Sequence, residues 1–147
     1  MTPTQKFDAW AATLGLQHFA PHELRYLGDS HYRAAGRASG LNTLPPRALW
    51  ANIAEVAKAA DMARGELGSP IRILSAYRSP EYNRAIRGAR ASRHLQFDAL
   101  DLAPMDGRVA TLHRILVRLR KQGVFSGGIG RYPSFVHIDG RGTAADW

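Results

Sequence analysis

The chain contains no cysteine among its 147 residues. That absence excludes disulfide frameworks, thiolate zinc sites and cysteine nucleophiles together, so any bound metal must be held by histidine, aspartate or glutamate. Long apolar runs are also missing: none approaches the roughly 20 residues that cross a bilayer. Residues Met1 to Ser30 carry no basic region followed by an uninterrupted apolar core, the mark of a secretory leader. The expectation is a protein with no membrane insertion, cytoplasmic as synthesised, that something else must deliver to any target beyond the membrane. Acidic residues are few, with 12 Asp and Glu against 20 Lys and Arg and a net charge of +8.

A basic balance favours polyanions, which include nucleic acid and the anionic cell wall. The arginines do not form one block: Arg84, Arg87, Arg90 and Arg93 fall in one loop-rich region, and Arg114, Arg118, Arg120 and Lys121 on a later helical stretch. Solvated faces account for most such runs. With no zinc-finger spacing and no basic motif interleaved with aromatics, no nucleic-acid partner is expected.

Hydrophobic residues make up 45% of the chain, which indicates a globular protein, and its length fits a single domain, residues 1–147. Gln5 to Leu14 reads as a short amphipathic helix and Phe19 to Tyr26 as a second, followed by a polar loop from Gly28 to Asn42. The clearest periodicity predicts a helix over Arg47 to Leu67, stopped by Gly68. Ile71 to Ala76 reads as a strand, and Ser79-Pro80 as the capped start of a short helix reaching Ile86. Phe97 to Ala103 reads as a strand, Asp106 as the cap of a helix over Gly107 to Gln122, and Val124 to Ile129 with Phe135 to Ile138 as a closing antiparallel hairpin. Strands clustered late in the chain predict an α+β fold with a small antiparallel sheet flanked by helices.

Three residues stand out chemically. His94, Asp101 and His137 offer two imidazoles and one carboxylate, a set that suits Zn²⁺ and leaves a fourth position open for water. Asp101 lies in an otherwise apolar stretch, Ala99 to Ala103, where a carboxylate without a cation or several donors costs several kcal/mol. A structural ion pair to an arginine is the other reading of that residue. His18, His22, His31 and His113 stand alone and are assigned no chemistry.

These residues sit in an ordered series: Ser75-x-Tyr77-Arg78-Ser79 with Tyr82-Asn83, Ser92-x-His94, Ala99-x-Asp101, Gly127-Gly128-Ile129-Gly130, and Phe135-Val136-His137-Ile138-Asp139 with Trp147 beyond. The series resembles the zinc D-Ala-D-Ala carboxypeptidase family of peptidoglycan peptidases, which includes L-alanyl-D-glutamate endopeptidases and shares its fold with the hedgehog signalling domain. The likeness covers about residues 19 to 147 and leaves 1–18 as an N-terminal helical extension. It implies that His94, Asp101 and His137 are zinc ligands and that Arg78 binds substrate, with Tyr77 and Ser92 beside it. A planar guanidinium suits that role, since it grips a carboxylate or a developing oxyanion and keeps its charge near a metal.

Three positions depart from the family or are left open by it. Many members carry an acid three residues before the last histidine as general base, and here that position is Ser134. Asp139, which alternates onto the His137 side of the strand, is the expected replacement, with orientation of His137 or Arg78 as its other role. Phe97 stands where the family often has glycine. Tyr132 is carried as a substrate-side candidate, either donating a hydrogen bond to the oxyanion or packing its turn. The functional expectation is a zinc peptidase acting on peptidoglycan stem or cross-bridge peptides, a monomer of the phage or prophage lysis type. A non-catalytic, zinc-stabilised wall-binding or virion protein is the rival.

Overall fold

Thr2 starts the fold. Its hydroxyl accepts from the Gln5 N–H at 3.1 Å while the Gln5 side chain accepts from the Thr2 N–H at 2.8 Å, a reciprocal cap for α1 (Pro3–Ala12). The computed structural model describes residues 1–147. Phe7 of α1 is fully buried, edge-on to Trp50 at 5.1 Å and 6.0 Å from Phe97. The first helix therefore shares the core of the later residues. Two short helices follow, α2 (Pro21–Leu24) and α3 (Asp29–Tyr32), the latter inside the segment expected to be loop.

The helix expected over Arg47 to Leu67 is divided. Arg47–Ile53 is a tighter 3₁₀ turn, held at its start by the Trp50 indole donating to the Pro45 carbonyl at 2.8 Å, and α4 (Ala54–Leu67) continues it. Ala57, Ala59, Ala60 and Ala63 are fully buried, so the α4 backbone approaches its neighbours closely. Asp61 on α4 is buried yet satisfied, accepting from the Gln17 and His18 N–H groups at 2.8 and 2.7 Å, and so fastens the α1–α2 connection.

The sheet comprises β1 (Ile71–Ser75), β2 (Ala99–Pro104), β3 (Gly128–Arg131), β4 (Val136–Asp139) and β5 (Ala145–Asp146), in the order β1-β2-β4-β3-β5. All pairs are antiparallel except the two-residue edge β5, which runs parallel to β3. Between the strands lie α5 (Pro80–Ala85), a 3₁₀ turn at Arg93–Gln96, and α6 (Val109–Lys121). The α+β class and the small, mainly antiparallel sheet stand as expected from sequence.

Alternation along the strands divides the sheet's two faces. Leu100, Leu102, Ile129, Val136 and Ile138 join Leu112, Leu116 and Leu119 of α6 and Val56 of α4 in one buried cluster, each such side chain contributing about 1.5–3 kcal/mol on burial. Polar side chains occupy the opposite face.

Two local expectations change. Asp106 does not cap α6; its carboxylate, three residues before the helix begins, accepts from the N–H and Nε of Arg108 at 3.0 and 2.6 Å. Phe97 is not in the strand, which begins at Ala99. It closes the 3₁₀ turn with a left-handed φ of 54°, its ring fully buried.

Candidate metal centre

Strand register brings the site together. Asp101 on β2 faces His137 on β4 directly, with Ser75 of β1 beyond Asp101 and Gly130 of β3 beyond His137. His94 arrives from the 3₁₀ turn, whose start Ser92 caps by accepting the His94 N–H at 3.3 Å. All three of His94, Asp101 and His137 are buried, and one donor atom from each lies within 4.8 Å of the others.

The hydrogen bond behind the His94 imidazole sets its tautomer, and a carboxylate holds the His137 ring from behind. His94 Nδ1 lies 2.7 Å from the Ala76 carbonyl, which can only accept, so the proton sits on Nδ1 and the Nε2 lone pair faces Asp101 Oδ1 at 3.2 Å. His137 is arranged in reverse. Its Nε2 lies 2.9 Å from Asp139 Oδ2, leaving Nδ1 toward Asp101 Oδ1, also at 2.9 Å. Both rings thus turn one nitrogen toward the same carboxylate, and each is oriented from behind by an acceptor, as metal-ligating histidines are.

Electrostatics agree with a cationic occupant. Burial alone would raise the Asp101 pKa, but the neighbouring imidazoles of His94 and His137 hold it well below the usual carboxylate range. Burial disfavours a charged His137, yet its hydrogen bonds to Asp101 and Asp139 outweigh this and raise its affinity for positive charge. The donor set, two imidazole nitrogens and one carboxylate oxygen with no thiolate, fits zinc.

Arg78 follows β1. Its Nε donates to Ser75 Oγ at 3.0 Å, and Nη2 reaches Asp101 Oδ2 at 3.4 Å. Burial lowers its pKa and Asp101 opposes the shift; a guanidinium remains charged in any case. Arg78, Ser92, Tyr132 and the three candidate ligands line one cleft of about 490 Å³.

Tyr132 stacks on Phe135 at 4.5 Å, and its oxygen accepts from the Trp147 indole N–H at 2.8 Å, which leaves the phenol proton free to donate. The Trp147 ring packs 5.2 Å from His137, in space open only because position 130 is glycine: a Cβ there would collide with the indole.

Two expected site residues are placed elsewhere. Tyr77 is buried in the core, edge-on to Phe97 at 6.2 Å, and does not reach the cleft. Asp139 lies behind His137 and is fully buried. Its oxygens accept from His137, the Gly128 N–H at 2.9 Å, and Arg141 through its backbone N–H, Nε and Nη2 at 3.2, 2.9 and 2.8 Å. Burial would raise its pKa, but these donors hold it far below the usual range, so it is a poor proton acceptor. Sequence reasoning missed Arg141, whose position two residues past Asp139 was its only signal, and the Ala76 carbonyl, for which no side-chain signal exists.

The fold and site define a metallopeptidase-like α+β protein with a His-Asp-His centre. The family model described as Peptidase M15 matches residues 19–139, which is more than half the chain and contains all three candidate ligands. The chain belongs to this family of zinc D-Ala-D-Ala carboxypeptidase-like peptidases. No curated protein matches it.

Proposed function

We propose that the chain is a zinc-dependent hydrolase of peptidoglycan stem or cross-bridge peptides. The observation that supports this reading most is the convergence of His94 Nε2 and His137 Nδ1 on Asp101 beside the Arg78 guanidinium. His94 Nε2, Asp101 and His137 Nδ1 would hold zinc. The chemistry zinc supplies when bound is Lewis-acid activation of water and of the scissile carbonyl.

The chain's own residues do the rest. Arg78 holds the carbonyl oxygen as negative charge develops on it, and Tyr132 offers its phenol proton from the facing wall. Ser92 shapes the cleft edge while capping the turn that carries His94. Asp139 acts as a positioning residue for His137. Apart from the candidate ligand Asp101, the cleft lining contains no acidic side chain, so no second carboxylate is placed there as a general base, a role that contributes about 10²–10⁴ where it is present. Residues 1–147 act as one domain and as a monomer, and a lysis enzyme of the phage or prophage type, made in the cytoplasm and released to the wall, is the context we infer. No helix is long and apolar enough to cross a membrane.

The test is release of free amino groups from purified peptidoglycan by wild type and His137→Ala, with and without a chelator. Zinc-dependent release by wild type alone supports the reading. The saturated Asp139 and exposed Ser134 favour a second reading, a zinc-stabilised wall-binding protein, which predicts wall retention with background release from both forms.

A further inference from the structure

The arginines closest to the metal cleft have carboxylate partners: Arg78 with Asp101, Arg93 with Asp98 and Arg141 with Asp139. Arg84 in the last turn of α5 and Arg87 and Arg90 in the loop after it are exposed and form no ion pair. Three unpaired guanidiniums within seven residues repel one another, and a solvated surface face has no need to hold them in a fixed loop.

This loop is fixed from beneath. Asn83, buried on α5, donates to the Ala89 carbonyl at 2.9 Å and accepts the Gly88 N–H on its own carbonyl at 2.9 Å. Its side-chain oxygen faces Arg78 Nη1 at 3.5 Å. Gly88 has to be glycine, since a Cβ there would collide with the Asn83 side chain and approach Arg78 Nη1 to 3.2 Å. One buried amide therefore ties the basic loop to the arginine of the metal cleft.

Three grooves that share wall residues adjoin along the surface beside that loop. The metal cleft shares Ala91, Ser92 and Arg93 with a second groove of about 600 Å³, which in turn shares Arg90 and Leu95 with a third of about 260 Å³ that also carries Arg84. A chain held at the metal centre passes along Arg93, then Arg90, then Arg84. Arg87 lines none of the three.

We propose that this groove binds the carboxylate-bearing part of the peptide substrate beyond the metal centre, with Arg84 and Arg90 as specificity-determining residues that select acidic over amidated peptides. Guanidinium forks match carboxylates with paired N–H donors, and the walls shared with the metal cleft favour a peptide already held there over a separate phosphate polymer. The inference rests on the peptidase reading for the direction in which the substrate lies.

The experiment measures equilibrium binding by fluorescence anisotropy, in the cold before turnover, with the zinc-loaded full chain. The probes are a wall-stem peptide with free side-chain carboxylates and the same peptide amidated, and hydrolysis is followed separately. Wild type should bind the acidic form about tenfold more tightly, and Arg84→Gln/Arg90→Gln should reduce that preference to about twofold or less. Arg87→Gln, the same charge change outside the groove, should keep it. Equal binding of both peptides by wild type overturns the proposal, as does an equal loss in Arg87→Gln or tighter binding of poly(glycerol phosphate) than of the acidic peptide. Zinc content and melting temperature of each variant exclude misfolding. An intact preference without hydrolysis sinks the peptidase reading and leaves the groove standing; hydrolysis without the preference does the reverse.

Discussion

Asp101 and His137 face each other across the β2–β4 pairing, with Oδ1 2.9 Å from Nδ1, and the His137 ring is held in that pose from behind by Asp139. The orientation of one candidate ligand thus depends on a residue outside the cleft lining. Arg141 and the Gly128 N–H in turn hold Asp139.

Replacing Asp139 by Asn should therefore act through metal affinity. Removing the charged acceptor weakens the preference for a proton on His137 Nε2, and zinc affinity should fall about 10–100-fold. Competition with a chromophoric chelator reads this directly. Unchanged zinc affinity with lost hydrolysis would instead return Asp139 to the role of proton acceptor.

Ser134 gives the complementary test. It is exposed, three residues before His137 and next to Phe135 of the cleft wall. Ser134→Glu should raise kcat on wall peptides by about tenfold or more while leaving zinc affinity alone. No gain would mean that the proton of the attacking water already has an acceptor.

Phe97 combines a buried ring with a left-handed backbone. Phe97→Ala should cost about 3–5 kcal/mol from the lost packing against Phe7 and Tyr77. Phe97→Gly empties the same space but relieves backbone strain of about 1 kcal/mol, so glycine should be the milder change, the reverse of the usual order. Denaturant unfolding of both variants decides it; a glycine variant less stable than the alanine one would show that the turn is not strained.

His113 on α6 titrates below the ordinary imidazole value because burial, Arg131 and Arg120 disfavour its charge, with Asp146 opposing them. The unfolded chain then takes up a proton that the folded chain resists, so this stability is complete above the ordinary imidazole pKa and declines as pH falls below it. His113→Gln should flatten that decline in chelator-treated protein. An identical pH dependence in both proteins would remove His113 as its source.

Much of the centre was legible in the sequence because its signals are short-range. His94 and Asp101 are seven residues apart, and His137 lies in an alternating strand whose partner supplies Asp101. Roles that depend on register were not legible. Tyr77 came into the cleft only through the resemblance, as the neighbour of Arg78; it follows the end of β1 at Ser75 and turns into the core. Asp139 was placed on the correct side of its strand, yet its saturation depends on Arg141 and on a Gly128 amide that only the β3–β4 pairing brings near. Phe97 read as strand from its hydrophobicity, whereas the turn carrying His94 requires a backbone reversal there that hydrophobicity does not encode.

Hydrolysis by this chain is proposed to require a zinc held by His94, Asp101 and His137. Metal analysis of the purified chain, paired with amino-group release from peptidoglycan by the same sample before chelation, after chelation and after zinc is restored, tests it most directly. The account predicts one zinc per chain, release that disappears with the metal and returns with it, and neither zinc nor release in His137→Ala. Release that persists in the metal-free protein, or zinc retained in full by His137→Ala, would contradict it.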